Sequence, residues 1–220
     1  MREIFPDLWQ AFWTTLQISG WAIAIGLTVG LGLGVLRTIG PRWLQLPIRM
    51  FVSYMRGVPP LVPIAIVYFA LPYYGITLDE YWTGVVALAA IAAGYTVEIV
   101  RAGLESVDPG QRDAALAVGM DDTTALLFVL LPQAAPQMVP PLTNEMANAI
   151  KASSLLSVIS VNELTKVGND LIFEHFIAVE VLLEVAVLYL LIVGTLTRLS
   201  RYLEMRWQKF RPQPQSLRVG

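Results

Sequence analysis

Acidic and basic side chains recur inside stretches that are otherwise apolar. Glu98 and Arg101 stand three residues apart, Glu145 follows the proline pair Pro140 and Pro141, and Glu180 and Glu184 stand four apart. A charged group is costly to hold in so apolar a setting, so it pairs, faces a water-filled cavity or handles a polar solute. A structural reading stands beside the functional one at each place. Glu98 and Arg101 can pair along one helix, with Arg101 reaching toward headgroups. Glu145 can accept backbone donors freed at a bend, or hold a solute. Glu180 and Glu184 share a helical face toward a vestibule or toward a partner chain. The chemistry on offer is binding and passage rather than covalent change. Cysteine is absent and His175 is the one histidine, which excludes a thiol nucleophile, a disulfide framework and a histidine cluster for a metal. His175 falls in a connecting loop and reads as a solvated surface residue.

The elements that must position these groups are membrane helices. The chain has 220 residues, 55% hydrophobic and 15% charged, with a mean hydropathy of +0.59. Soluble domains carry about 25% charged residues. A crossing helix needs about 20 mostly apolar residues, and five segments qualify: 9–36, 51–71, 81–100, 124–150 and 176–199. The net charge of -2 says less than where the charges lie. Arg37, Arg42, Arg49 and Arg56 follow the first segment, Arg101 and Arg112 the third, and Arg198, Arg201, Arg206, Lys209, Arg211 and Arg218 the fifth. The opposite side receives Arg2, Lys166 and, on one reading, Lys151. The positive-inside rule then places the N-terminus outside and the C-terminus in the cytoplasm, as an odd number of spans requires. Trp9, Trp13, Tyr73, Tyr74, Tyr81 and Trp82 fall near the expected outer ends, as an aromatic belt would. No cleavable signal pattern opens the chain, so the first span is expected to persist. The expected architecture is an all-α integral membrane protein with one transmembrane domain over 1–210. A disordered, proline-containing cytoplasmic tail is expected over 211–220.

Prolines gather at Pro59, Pro60 and Pro63 and again at Pro132, Pro136, Pro140 and Pro141. Each removes a donor and disturbs the preceding turn, so broken helices lining a cavity are expected at both clusters. Gly26, Gly30 and Gly34 recur every fourth residue and bare one face of the first span for close packing, within the chain before any dimer contact. The stretch 153–161 is too short to cross and reads as a re-entrant or outer-leaflet half-helix.

The loop at about 106–124 interrupts this apolar run. Asp108 suits a helix cap, Pro109 a first turn, and Gly119 an end. Ala114, Ala115 and Val118 share roughly one face, and small residues there admit a close partner groove. A short helix lying flat on lipid is the competing reading of that composition.

Asp113-Ala114-Ala115, then Gly119, then Val129-Leu130-Leu131-Pro132 resembles the EAA loop of bacterial ABC importer permeases. That pattern runs E-A-A, three residues, G, nine residues, then I-x-L-P. The spacing matches throughout, with Asp for Glu and Val for Ile. Stretches 55–72, 93–111, 131–145 and 151–165 resemble the polar amino acid branch of that family, typified by histidine, glutamine and arginine permeases. At Ala152-Ser153 the chain departs from it, since the family usually carries an acidic residue and threonine there.

The resemblance implies a permease that pairs with a second permease, identical or related, in the bacterial inner membrane. Each permease docks one ATP-binding subunit through the cytoplasmic loop, and a secreted binding protein delivers the solute. Asp113, Ala114, Ala115 and Gly119 would couple ATP hydrolysis to the gate. The chain has no G-x-x-x-x-G-K-[ST] phosphate loop. No catalytic residue and no cofactor are therefore expected in it, and ATP and magnesium are expected in the partner subunit. The resemblance further implies Tyr95, Glu98, Ser154 and Glu163 as residues lining the solute path. Acids in the apolar stretches outnumber bases, which leans toward a cationic amino acid. An ion-coupled carrier acting alone is the alternative, but five spans hold no complete inverted repeat and the loop would have no task. A channel or structural subunit leaves the loop spacing and the prolines without a reason.

Overall fold

The computed structural model describes residues 4–208. The expected tail at 211–220 and the cationic residues Arg2, Lys209, Arg211 and Arg218 lie outside them. The described residues are helical, in the order α1 (Phe5–Ile39), α2 (Arg42–Gly57), α3 (Leu61–Tyr73), α4 (Glu80–Glu105), α5 (Pro109–Ala117), α6 (Asp122–Ala125), a π-helical turn (Leu126–Leu130), α7 (Leu131–Ala152), a 3-10 turn (Ser153–Ile159), α8 (Leu164–His175) and α9 (Ala178–Gln208).

Four continuous stretches are long and apolar enough to cross a membrane: Phe5–Ile39, Glu80–Glu105, Asp122–Ile159 and Ala178–Tyr202. The expected second span at 51–71 is not one helix. It is the pair α2 and α3, bent by 116°. The reason is local. A residue before proline is pushed out of the α region, and Val58 is extended at φ -116° and ψ 152°, just before Pro59 and Pro60.

The second proline cluster behaves differently. Pro136, Pro140 and Pro141 sit inside α7, yet the helix runs on to Ala152. A proline ring clashes with the carbonyl four residues back. The π-helical turn widens the backbone just where Pro132 requires room. Beyond it, α7 is held between α4 and α9; Ser200 of α9, for example, donates a short hydrogen bond to Thr143. The expected break at this cluster is therefore absent.

α4 is the central helix, 72% buried over its most apolar window against 22% for the three other crossing stretches. The glycine stripe explains its intimacy with α1. Gly26 meets Ala92, Gly30 meets Thr96 and Gly34 meets Val100, where an added Cβ would lie 2.6 Å from the Val100 Cβ. The stripe thus serves packing within the chain. The two helices run parallel and level from the neighbourhood of Trp21, whose ring lies 6.3 Å from that of Trp82. The first third of α1 over-reaches α4, so Trp9 and Trp82 are not at one level. That overhang packs on α8 and α9 through Leu8, Ala11, Leu164, Leu171 and Val181. The Leu164 amide donates to the Thr15 hydroxyl at 3.0 Å.

Candidate functional site: an arginine-ringed carboxylate and the cavity beside it

Glu98 lies in the last third of α4, one helical step from Tyr95 and Arg101. The expected pairing with Arg101 is present, with Nε at 2.9 Å and Nη2 at 2.5 Å from Oε1. Two further guanidiniums join from other helices. Arg37 at the end of α1 donates to Oε2 at 2.6 Å. Arg56 at the end of α2 stands 3.7 Å from Oε1 and lies over the Tyr95 ring, 5.7 Å from its centroid. Arg101 also pairs with Glu105. The three cations exceed these two carboxylates, so the cluster carries a net positive charge. Glu98 is half-buried and sits where α1, α2 and α4 meet, so its ion pairs are shielded better than surface ones.

Tyr95 and Glu98 wall a cavity of about 330 Å³, together with Arg56, Gly103, Gln137 and Pro141. A second recess of about 210 Å³ opens on the other side of Tyr95, against Pro60, Ile91, Glu145 and Asn148. The first volume is of the size that holds a small solute. Both recesses combine apolar walls with a few polar groups, and they are built from the two proline-marked elements and α4. Pro141 leaves the Gln137 carbonyl without its helical donor, and both residues line the cavity. A path walled this way can hold a small zwitterion: guanidinium and aromatic face at one end, the buried Glu145 at the other.

The other expected lining residues go elsewhere. Ser154 lies in the 3-10 turn, where its hydroxyl donates to the Lys151 carbonyl at 2.8 Å, and it lines neither recess. Glu163 is fully buried and caps α8. Its carboxylate accepts from the Lys166 amide at 2.7 Å, the Thr165 amide at 2.9 Å and the Tyr189 hydroxyl at 2.8 Å. Burial pushes this carboxyl up from its ordinary value, against the smaller opposing pull of those donors. Glu145 and Arg56 join Tyr95 and Glu98 without having been among the expected lining set. Their sequence signal was position: each lies within a turn of a proline pair.

The loop forms a nine-residue helix, α5, as its residues predict. Asp108 caps it by accepting from the Gly110 amide at 2.7 Å. Gly119 ends it at φ +89°, where a side chain is strained. The Gly119 amide then bonds the Leu116 carbonyl at 3.0 Å and the Met120 amide the Ala115 carbonyl at 3.1 Å, a pair that closes a helix C-terminus. Asp113, Ala114 and Val118 are exposed, but Ala115 is buried. The expected shared face of Ala114, Ala115 and Val118 is thus split: Ala115 packs inward and its neighbours point out. Two side-chain links tie α5 to the following span. Arg112 pairs with Asp122 at 2.7 Å, and Gln133 of α7 donates to Gln111 at 3.1 Å. Asp121 caps α6 by accepting from the Thr124 amide at 2.8 Å, and the hydrogen bonds to Thr124 hold its carboxyl below the usual range.

A bundle of apolar helices around a small, mostly apolar cavity with a few charged and polar groups, with an exposed helix set between two of its spans, has the form of a membrane transport component. A family model described as the inner membrane component of binding-protein-dependent transport systems matches residues 9–209. The chain belongs to that family, whose members are membrane components rather than ATPases. It is 36% identical over 212 residues to the glutamine transport system permease protein GlnP of Escherichia coli (strain K12), covering 90% of this chain and 96% of that one. It is 35% identical over 213 residues to the octopine transport system permease protein OccM of Rhizobium radiobacter, covering 90% and 87%. A solved amino acid ABC transporter "with histidines" matches with a TM-score of 0.86 at 30% identity, over 94% of this chain and 96% of that one. The MetNI methionine ABC transporter shares the fold, with a TM-score of 0.82 at 20% identity.

Proposed function

We propose that this chain forms the translocation path of an ATP-driven importer for polar amino acids. A transmembrane permease domain spans 1–210, with the N-terminus outside and the loop at 106–124 in the cytoplasm of a bacterial inner membrane. A separate ATPase subunit, holding ATP and magnesium, docks on α5. A second permease chain completes the path, and an extracytoplasmic binding protein loads it.

One observation carries this reading: the exposed α5 is fastened to the helix that walls the cavity. Gln111 and Arg112 hold Gln133 and Asp122, and Gln137, Pro141 and Glu145 follow on the same stretch. A displacement of α5 is therefore delivered to the cavity wall. Asp113 and Ala114 offer the exposed contact, while Ala115 and Gly119 fix the shape of the lever. Tyr95 and Glu98 stand beside the solute. The named substrates of the relatives support an amino acid as cargo, and Glu145 opposite Arg56 suits its two charged ends.

The test is reconstitution of this permease with its ATPase and binding protein in proteoliposomes, followed by a panel of amino acids. Polar amino acids are expected to stimulate ATP hydrolysis and to accumulate inside. Uptake that runs on an ion gradient without ATP would overturn the reading in favour of a secondary carrier.

A further inference from the structure

The four arginines between the first span and the proline break are not equivalent. Arg37 and Arg56 are drawn onto Glu98. Arg42 and Arg49 are exposed, and neither has an ion-pair partner among the described residues. They stand seven apart on α2, hence on one side of that helix. No acidic residue lies anywhere in α2.

The rest of α2 divides into two further faces. Ile48, Val52 and Met55 are buried, the first two in a cluster with Val97 and the third against Gly94. Trp43, Leu46 and Met50 follow one another at helical spacing on a different face and are 73%, 63% and 65% exposed. The arginine side lies between these two faces. The 116° bend turns α2 sharply away from the axis of α3. The cations and exposed apolar side chains of α2 suit the membrane interface rather than a straight continuation of α3. An amphipathic helix so placed buries its apolar face at the acyl boundary and holds its cations at headgroup depth, with tryptophan at the interface.

We propose that α2 is an interfacial helix that binds anionic phospholipid headgroups through Arg42 and Arg49, with Trp43, Leu46 and Met50 set in the acyl region. This requires no particular cargo or ATPase, so it stands apart from the proposed transport function. A guanidinium pairs a phosphate oxygen pair in a fork, and two unpartnered guanidiniums seven residues apart give adjacent headgroups a place each. A second protein chain would have to cover the same apolar face while supplying carboxylates to both arginines.

The test is native mass spectrometry of the full-length chain in detergent, titrated with phosphatidylglycerol and, separately, with phosphatidylcholine of identical acyl chains. Each arginine near an anionic surface contributes about fivefold in binding. The wild type is therefore expected to prefer phosphatidylglycerol by about twenty-fivefold, and Arg42→Gln/Arg49→Gln to prefer it by less than about twofold. The pair Arg42→Lys/Arg49→Lys is expected to keep most of the preference, which separates charge from folding. Glycerol 3-phosphate is expected not to displace the lipid. No preference in the wild type would overturn the proposal, as would an undiminished preference in the glutamine pair. Displacement by glycerol 3-phosphate would mark a site for free phosphate instead. Conversion of a dimer to monomers by the glutamine pair would mark the face as a contact between copies of this chain. Either result would also overturn the proposal.

Discussion

Arg37 of α1 donates a 2.6 Å hydrogen bond to Glu98 of α4, joining helices whose contact residues are 61 positions apart. The bond lies beside the Gly34–Val100 contact, so the packed glycine stripe delivers the guanidinium to the carboxylate. Arg101 and Arg56 complete the ring around Glu98. Residues in one such network are coupled. A double-mutant cycle of Arg37→Ala and Glu98→Ala, read by thermal unfolding in detergent, is expected to give a coupling energy of about 1–2 kcal/mol. Additive effects of the two changes would show that the bond contributes nothing to the fold.

Gly30 offers a test of the stripe itself. A Cβ there would collide with the Thr96 side chain, whereas one at Gly32 would meet nothing within 4 Å. Gly30→Val is expected to destabilise the chain by about 1–3 kcal/mol, the range for overpacked positions. Gly32→Val faces outward and is expected to be neutral or to stabilise by a few tenths of a kcal/mol, roughly the margin by which valine is the better helix former. Equal melting shifts for the two variants would contradict the packing described.

Gly119 ends α5 at φ +89° with open space around it, so a substitution there acts through the backbone and the exposed surface, not through the core. Gly119→Glu is expected to leave membrane insertion unchanged and to lower the melting temperature modestly, since a non-glycine residue at this φ costs about 1 kcal/mol. The same change is expected to reduce substrate-stimulated ATP hydrolysis in the reconstituted complex by tenfold or more, ~1.4 kcal/mol at the coupling step. Full stimulation in this variant would remove Gly119 from the coupling element.

Glu163 and Glu145 separate stability from transport. Glu163→Ala deprives two backbone amides and the Tyr189 hydroxyl of their acceptor. A loss of about 1–2 kcal/mol in stability is expected, as for a removed cap, with KM for uptake unchanged. Glu145→Gln keeps the shape of the recess but removes its charge. A several-fold higher KM is expected there, with the melting temperature held. The reverse assignment of the two effects would place the solute near α8 instead of beside Tyr95.

Much of this architecture was legible in the residues. Apolar runs of crossing length marked α1, α4, the α6–α7 stretch and α9, because hydropathy reports the solvent each segment requires. The i, i+3 spacing of Glu98 and Arg101 announced their pair, because neighbours on a helix meet without help from the rest of the fold. Asp108, Pro109 and Gly119 delimited α5 for the same local reason, since caps and positive φ are properties of a few consecutive residues. The resemblance of that loop and of four longer stretches pointed to the permease family that residues 9–209 match.

Other features were decided between elements. Periodicity put Ala114 and Ala115 near one another but could not say which packs inward; that depends on where the π-helical turn lies. Two proline clusters looked alike, yet only Pro59-Pro60 breaks its helix, because α7 is held by α4 and α9. The sequence by itself determined a membrane helix bundle, its family and the helix α5 in the loop between its spans, since those rest on composition and short spacing. Only the tertiary structure decided that Arg37 and Arg56 converge on Glu98 while Arg42 and Arg49 have no ion-pair partner among the described residues, and that Glu145 lines a recess beside Tyr95 while Glu163 caps a helix. Electrostatic partners and burial are set by distances between segments far apart in the chain, and no local pattern encodes those distances.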